Sequence, residues 1–89
     1  MFPDIMTPPL RWTQARGRVA RRAILAELRR RHDAGASPVT MQALATATGI
    51  RHGAVWRHVR VLKDAALVVS IRGPGGGIRL TDAGLRATD

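Results

Sequence analysis

Apolar side chains recur at helical spacing through the first third of the chain. Ile24 and Leu28 are four residues apart among basic residues, which places them on one face of a helix. Thr13 is a suitable N-cap for that helix. Gly35 is a suitable terminator, because glycine readily adopts the left-handed conformation that often follows a helix. The pattern therefore predicts a first helix from Thr13 to about Asp33.

Two further helices are predicted, separated by a tight turn. Thr40 can cap a helix over residues 41–48, and Gly49 can form the turn that ends it. A third helix is predicted over residues 51–65. Its aliphatic residues at helical spacing are Val55, Val59 and Leu62. These side chains would pack against the first two helices, so the pattern predicts a helix-turn-helix.

The pattern changes after the third helix. Residues 67–72 are rich in β-branched side chains, residues 73–77 include four glycines, and residues 78–80 can return as a second strand. Thr81 can cap a last helical turn through Leu85. The predicted fold is therefore α+β and mainly α, with three helices, a β-hairpin and a short C-terminal helical turn.

The chain is long enough for one domain with a modest aliphatic core. It has 89 residues, of which 45% are apolar and only 3% aromatic. Residues 1–12 contain three prolines and no period, so we predict an irregular N-terminal arm followed by one domain over residues 13–89. The apolar residues of the arm could pack on their own domain or against a second copy, which leaves a homodimer open.

The charge indicates a polyanionic partner. Fifteen basic residues, fourteen of them arginine, stand against six acidic residues and give a net charge of +9. Such an excess attracts nucleic acid, and the planar arginine fork suits phosphate oxygens and guanine edges. A high genomic GC content would explain arginine in place of lysine but not the excess of cations. Double-stranded DNA is the expected partner.

Composition disfavours several kinds of chemistry. The absence of cysteine excludes disulfides, thiolate metal sites and cysteine nucleophiles. His32, His52 and His58 have few carboxylates near them, so we expect no metal and no cofactor. Six scattered acidic residues form no catalytic constellation, so we expect no enzyme. No sensor domain or ligand-sized cavity is evident, so we expect no small-molecule effector.

The distribution of apolar residues predicts where in the cell the protein is located. No apolar run reaches the about 20 residues of a membrane span, and the N-terminus lacks the charged and apolar regions of a secretory signal. We therefore expect no membrane partner. The sequence predicts a cytoplasmic protein that associates with the nucleoid.

The third predicted helix has a basic face opposite its aliphatic one. With about 100° between successive residues, Arg57 and Arg60 lie opposite the aliphatic side chains, and the central part of this face contains no acidic residue. We therefore predict that residues 51–65 form a recognition helix for the major groove. Its candidate DNA-binding residues are Arg51, His52, Gly53, Trp56, Arg57 and Arg60.

Two features beside that face leave alternatives open. Arg72 and Arg79 flank the glycine-rich turn, where the backbone can approach a phosphate or enter a minor groove, so residues 72–79 are a candidate DNA-binding wing. The alternative is that both arginines are edge-strand charges that prevent aggregation through strand pairing with another chain. Trp56 could contact a sugar or a thymine methyl group, or it could lie at the core edge or in a dimer contact.

Residues 39–84 resemble the winged helix-turn-helix of the MarR, ArsR and PadR groups of bacterial and archaeal regulators. The resemblance rests on LATATGI at residues 44–50, RHVRVLKDAALV at residues 57–68 and LTDAG at residues 80–84. The second of these is similar to the recurrent R-H-L-x-x-L-x-x-A-G-L-V ending, and the third to the L-T-x-x-G that follows the wing. The resemblance implies a DNA-binding regulator, and it implies that His58 faces DNA, as in ArsR-like members.

The chain departs from those groups around the hairpin. Ala66 replaces the glycine that usually opens their wing, so we expect strain or a different shape at this junction. Glycines at residues 75–77 stand where MarR proteins have Asp-x-Arg, and we expect none of the long dimerisation helices of those regulators.

The sequence favours a small transcriptional regulator, a repressor, that binds duplex DNA sequence-specifically. One alternative is an architectural or excision-type DNA-binding protein of a phage or mobile element. Another is a winged helix used for protein–protein interaction through an exposed Trp56. RNA is a weaker candidate partner, because the third helix suits the B-form major groove and not the narrow A-form one.

Overall fold

A computed structural model describes the backbone of residues 10–89 and the side chains of residues 16–89. Within this part of the chain, three helices precede an antiparallel hairpin and a short fourth helix, so the predicted winged helix-turn-helix is confirmed. The elements are α1 (Leu10–Asp33), α2 (Met41–Thr48), α3 (His52–Asp64), β1 (Val68–Ile71), β2 (Gly77–Leu80) and α4 (Asp82–Ala87).

Helix α1 begins three residues earlier than predicted. Leu10 is its first residue, so Thr13 lies inside the helix and is not its cap. Pro8 and Pro9 directly precede Leu10, and proline is accepted near a helix start because the first N–H groups of a helix have no intrahelical partner. Residues 10–12 of the predicted arm are therefore helical. The remainder of the arm, residues 1–9, lies outside the described residues.

Threonine caps begin α2 and α4 where the sequence predicts them. The backbone N–H of Ala43 donates to Thr40 Oγ1 at 3.0 Å, and that of Gly84 donates to Thr81 Oγ1 at 3.1 Å. Gly49 ends α2 in the left-handed conformation, with a φ of 72°. These local signals set the short connection between α2 and α3 and thereby the helix-turn-helix.

One aliphatic core joins the helices to the hairpin. The side chains predicted to face inward on α3 are each at most 3% exposed. Burial of an aliphatic side chain of this size contributes about 1.5–3 kcal/mol, so the core fixes which face of α3 reaches solvent. The buried residues are Ile24, Leu28, Val39, Leu44, Val55, Val59, Leu62, Val68, Ile78 and Leu80.

A backbone bridge ties the α1–α2 connection to the hairpin. The N–H of Val39 donates to the carbonyl of Ile78 at 2.8 Å, and the N–H of Ile78 donates to the carbonyl of Val39 at 2.7 Å. A Cβ at Gly77 would lie 2.6 Å from the Val39 carbonyl oxygen, so only glycine permits this approach. The bridge holds the base of the hairpin against the helix-turn-helix.

The backbone is strained at Ala66, which lies between α3 and β1 and replaces the glycine that usually opens the wing. Ala66 has a φ of 61°, in the left-handed region, which costs an L-residue about 1–2 kcal/mol. Thr81 Oγ1 donates to the Ala66 carbonyl at 2.6 Å, and the Ala66 N–H donates to the Lys63 carbonyl at 2.9 Å. The hydrogen bonds on both sides hold Ala66 in this conformation, so the expected strain is confirmed.

Replacing Ala66 with glycine is expected to stabilise the domain. Glycine adopts this φ without the Cβ penalty but loses more entropy on folding, so the net gain should be roughly 0.5–1 kcal/mol in the free energy of unfolding. Ala65 has a φ of −85° and provides a matched control, since A65G should destabilise the domain. Urea denaturation of both variants checks the prediction, and an A66G variant less stable than wild type would contradict it.

Candidate nucleic-acid interface

The outer face of α3 presents the basic side chains that the helical pattern predicts. Arg57 and Arg60 are exposed, and Gly53 lies on the same exposed face one turn before Arg57. A Cβ at Gly53 would meet nothing within 4 Å, so this part of the helix is open to a close approach. Arg51 and His52 are exposed at the helix start, and the Arg51 side chain makes no capping hydrogen bond. The structure thus places Arg51 and His52 at the exposed start of α3. It places Gly53, Arg57 and Arg60 along the exposed face of the same helix.

Trp56 lies at the surface beside that face and contacts one of its arginines. Its side chain is 51% exposed, and the Arg60 guanidinium carbon lies 5.8 Å from the ring centroid. This cation–π contact restrains the Arg60 side chain. Both residues line a cleft of about 330 Å³ that also includes Met41 and Lys63.

His58 is turned toward α1 and away from the face that contains Arg57 and Arg60. The ring is half-buried, three residues after buried Val55, and its Nδ1 atom lies 3.4 Å from Arg21 Nη1. A guanidinium can only donate, so Nδ1 acts as the acceptor. Burial lowers the pKa of His58, and the positive charges of Arg21 and Arg57 lower that pKa further. The resemblance implies that His58 faces DNA, whereas in the structure its ring contacts Arg21 of α1. A DNA contact of His58 stays a prediction.

The hairpin presents the two arginines predicted for a wing. Arg72 and Arg79 are exposed on either side of the turn, and the strands pair in antiparallel register with Ile71 opposite Gly77. Gly73 and Gly75 have φ angles of 95° and 74°, which L side chains rarely adopt. Glycine is therefore needed for this turn, and its tip carries little side-chain bulk.

The acidic residues of α1 neutralise other arginines. Glu27 accepts from Arg31 at 2.7 Å and also from Arg30, and Asp33 pairs with Arg29 at 3.1 Å. The hydrogen bond from Arg30 lowers the pKa of Glu27 most, partial burial opposes it, and the hydrogen bond from Arg31 adds to the lowering. Within the part of the chain that the structure describes, the arginines with no ion pair include Arg57, Arg60, Arg72 and Arg79.

Two basic residues near the interface are not among the DNA-binding candidates predicted from the sequence. Lys63 lies in the cleft beside Trp56 and Arg60. Arg21 supports α3 from α1 through its contact with His58. The position of Arg21, three residues before buried Ile24, places it near the inward side of α1 and was the available signal.

The fold and the exposed basic face define a winged-helix DNA-binding regulator. A family model described as "Rrf2: Iron-dependent Transcriptional regulator" matches residues 13–86 of the chain. This chain therefore belongs to the Rrf2 family and is a DNA-binding transcriptional regulator. A search of curated proteins and of solved structures finds no match.

The family match bears on the resemblance to the MarR, ArsR and PadR groups only in part. It supports a winged-helix regulator but not membership of those groups. The motifs behind the resemblance include the Gly49 turn and buried Leu44, Val59 and Leu62. Their roles here are in turns and core packing, so they identify the fold and not the family.

The residues that the structure describes do not fit an iron centre. The chain has no cysteine and therefore no thiolate ligand. Within the described residues, no three histidine, aspartate or glutamate side chains come together to hold a metal ion. His32 and His52 are exposed at different helix ends, and His58 is engaged by Arg21.

The described helices include no candidate for a membrane span. Helix α1 has 24 residues, but it and the other described helices are too polar or too short to cross a bilayer.

Proposed function

We propose that this regulator is a repressor that binds duplex DNA with α3 in the major groove and the hairpin against the neighbouring backbone or minor groove. The observation that supports this is the exposed face on which Arg57 and Arg60 have no acidic partner. Helix α3 has 13 residues, or about 20 Å of length, which is enough to cross the major groove. Repression would follow from occupation of a promoter site.

Each part of the interface has a distinct proposed role. Arg57 and Arg60 read base edges, because a guanidinium can bond both O6 and N7 of guanine. Arg51 and His52 contact the backbone at the start of α3. Arg72 and Arg79 contact phosphates and set the orientation of the domain without reading sequence. Trp56 positions Arg60 and offers an apolar edge to a thymine methyl group.

The remaining proposals concern chemistry, location and stoichiometry. We propose that the protein catalyses no reaction and acts on DNA in the cytoplasm, in association with the nucleoid. We also propose that two copies occupy the two halves of an operator, because most helix-turn-helix regulators bind half-sites one helical turn apart.

Selection of binding sites from a pool of random duplexes tests the proposed function. Selection at two salt concentrations should enrich one sequence, and affinity should fall steeply with salt because arginines release counterions from phosphates. A palindrome in that sequence would support two copies. Salt-dependent binding without an enriched sequence would favour the architectural alternative. No duplex binding at low salt would contradict the proposal and favour a protein partner for the exposed Trp56.

A further inference from the structure

A second surface combines an apolar floor with free arginines. A groove of about 590 Å³ lies between α1, the end of α3 and the end of α4, and is called the α1–α4 groove here. None of the residues predicted to bind DNA lines it. Its apolar floor is formed by Leu25, Ala26, Leu62 and Leu67.

The arginines at the groove differ in whether they have partners. Arg29 donates to the Leu85 carbonyl at 2.9 Å and pairs with Asp33, so it holds α4 against α1. Arg18 and Arg22 are one helical turn apart, exposed, and without an acidic partner among the described residues. No acidic residue lines the groove. Two uncompensated guanidinium groups therefore stand beside an apolar floor.

The charges and the size of the groove indicate the chemistry of an occupant. The arginines require a negative head group, and the leucine floor requires an apolar body. The volume lies within the range of about 300–1,000 Å³ of small-molecule sites.

We propose that the α1–α4 groove binds a small single-chain amphiphilic anion, with a carboxylate or phosphate at Arg18 and Arg22 and its apolar body on the leucine floor. This site goes beyond DNA binding and does not depend on it, and it departs from the expectation, drawn from the sequence, of no small-molecule effector. Arg21 lines the groove and also contacts His58 on α3. Its side chain therefore connects the groove to the proposed recognition helix.

Titration of the full chain with decanoate, followed by backbone amide NMR, tests this site. Decanoate below its micelle concentration should shift Leu25, Leu62 and Leu67 saturably, with a dissociation constant on the order of 1 mM. Acetate lacks the apolar body and decyltrimethylammonium carries the wrong charge, so neither should shift these amides. Shifts that do not saturate, equal shifts with the cationic amphiphile, or binding only to phosphatidylglycerol vesicles would overturn the proposal.

Two pairs of matched variants locate the site. Exposed Ala26 lies in the groove and exposed Ala23 lies outside it on α1, so A26E should abolish decanoate binding while A23E leaves it within about twofold. R18Q/R22Q should weaken binding roughly tenfold, whereas R72Q/R79Q removes the same charge from the hairpin and should not. Equal effects within either pair would contradict the site. Thermal unfolding confirms that each variant is folded.

Discussion

The double substitution R57Q/R60Q is expected to reduce affinity for the selected duplex by roughly a hundredfold or more. Each arginine contact to a base edge or phosphate contributes about 1–3 kcal/mol, and a factor of ten corresponds to about 1.4 kcal/mol. Both side chains are exposed, and glutamine has a helix propensity close to that of arginine. The main stability loss is the cation–π contact of Arg60 with Trp56, so the free energy of unfolding should change by no more than about 1 kcal/mol. Fluorescence anisotropy of a labelled duplex measures the loss.

The control for this prediction is R18Q/R22Q, which removes the same number of charges from α1. Neither residue lies on the outer face of α3, so its effect on DNA affinity should be limited to a few-fold, long-range electrostatic change. The R57Q/R60Q variant should also relax the sequence preference, because it removes base contacts and not only charge. Equal losses in the two variants would mean that net charge, and not the proposed recognition helix, carries DNA binding.

Local chemistry made much of the fold predictable. Thr40, Thr81 and Gly49 act on neighbouring backbone groups, so their roles can be read from a few residues of sequence. The spacing of Val55 and Val59 likewise identifies the buried face of α3 and, with it, the exposed face of Arg57. The candidate interface was predictable for the same reason, since its main residues lie on one helix.

Contacts between distant segments were not predictable from the same patterns. The Val39–Ile78 bridge joins residues 39 positions apart, and no local period marks it. Arg21, the hydrogen-bond partner of His58, comes from another helix and therefore could not be identified from the spacing within α3. By contrast, the pairing of Arg29 with Asp33 is an i,i+4 contact and was available from spacing.

The substitution G84A is expected to remove a large part of the domain's stability. Gly84 is buried in α4, and a Cβ there would overlap the Leu67 carbonyl oxygen and lie 3.0 Å from Leu80 Cδ2. That carbonyl cannot move freely, because it accepts from the Thr81 N–H at 3.0 Å. Overpacking against a fixed backbone should cost about 3 kcal/mol or more, out of the roughly 5–10 kcal/mol typical of a small domain.

The matched control for G84A is G53A, the same chemical change at an open helical position. Gly53 is the second residue of α3 and a Cβ there meets nothing within 4 Å, so alanine should stabilise the helix by about 0.5 kcal/mol or less. The two variants should therefore shift the melting temperature in opposite directions, with a fall of more than about 10 °C for G84A. A G84A variant as stable as wild type would mean that α4 does not pack against the hairpin base as described. The final glycine of the L-T-x-x-G motif would then have no steric explanation.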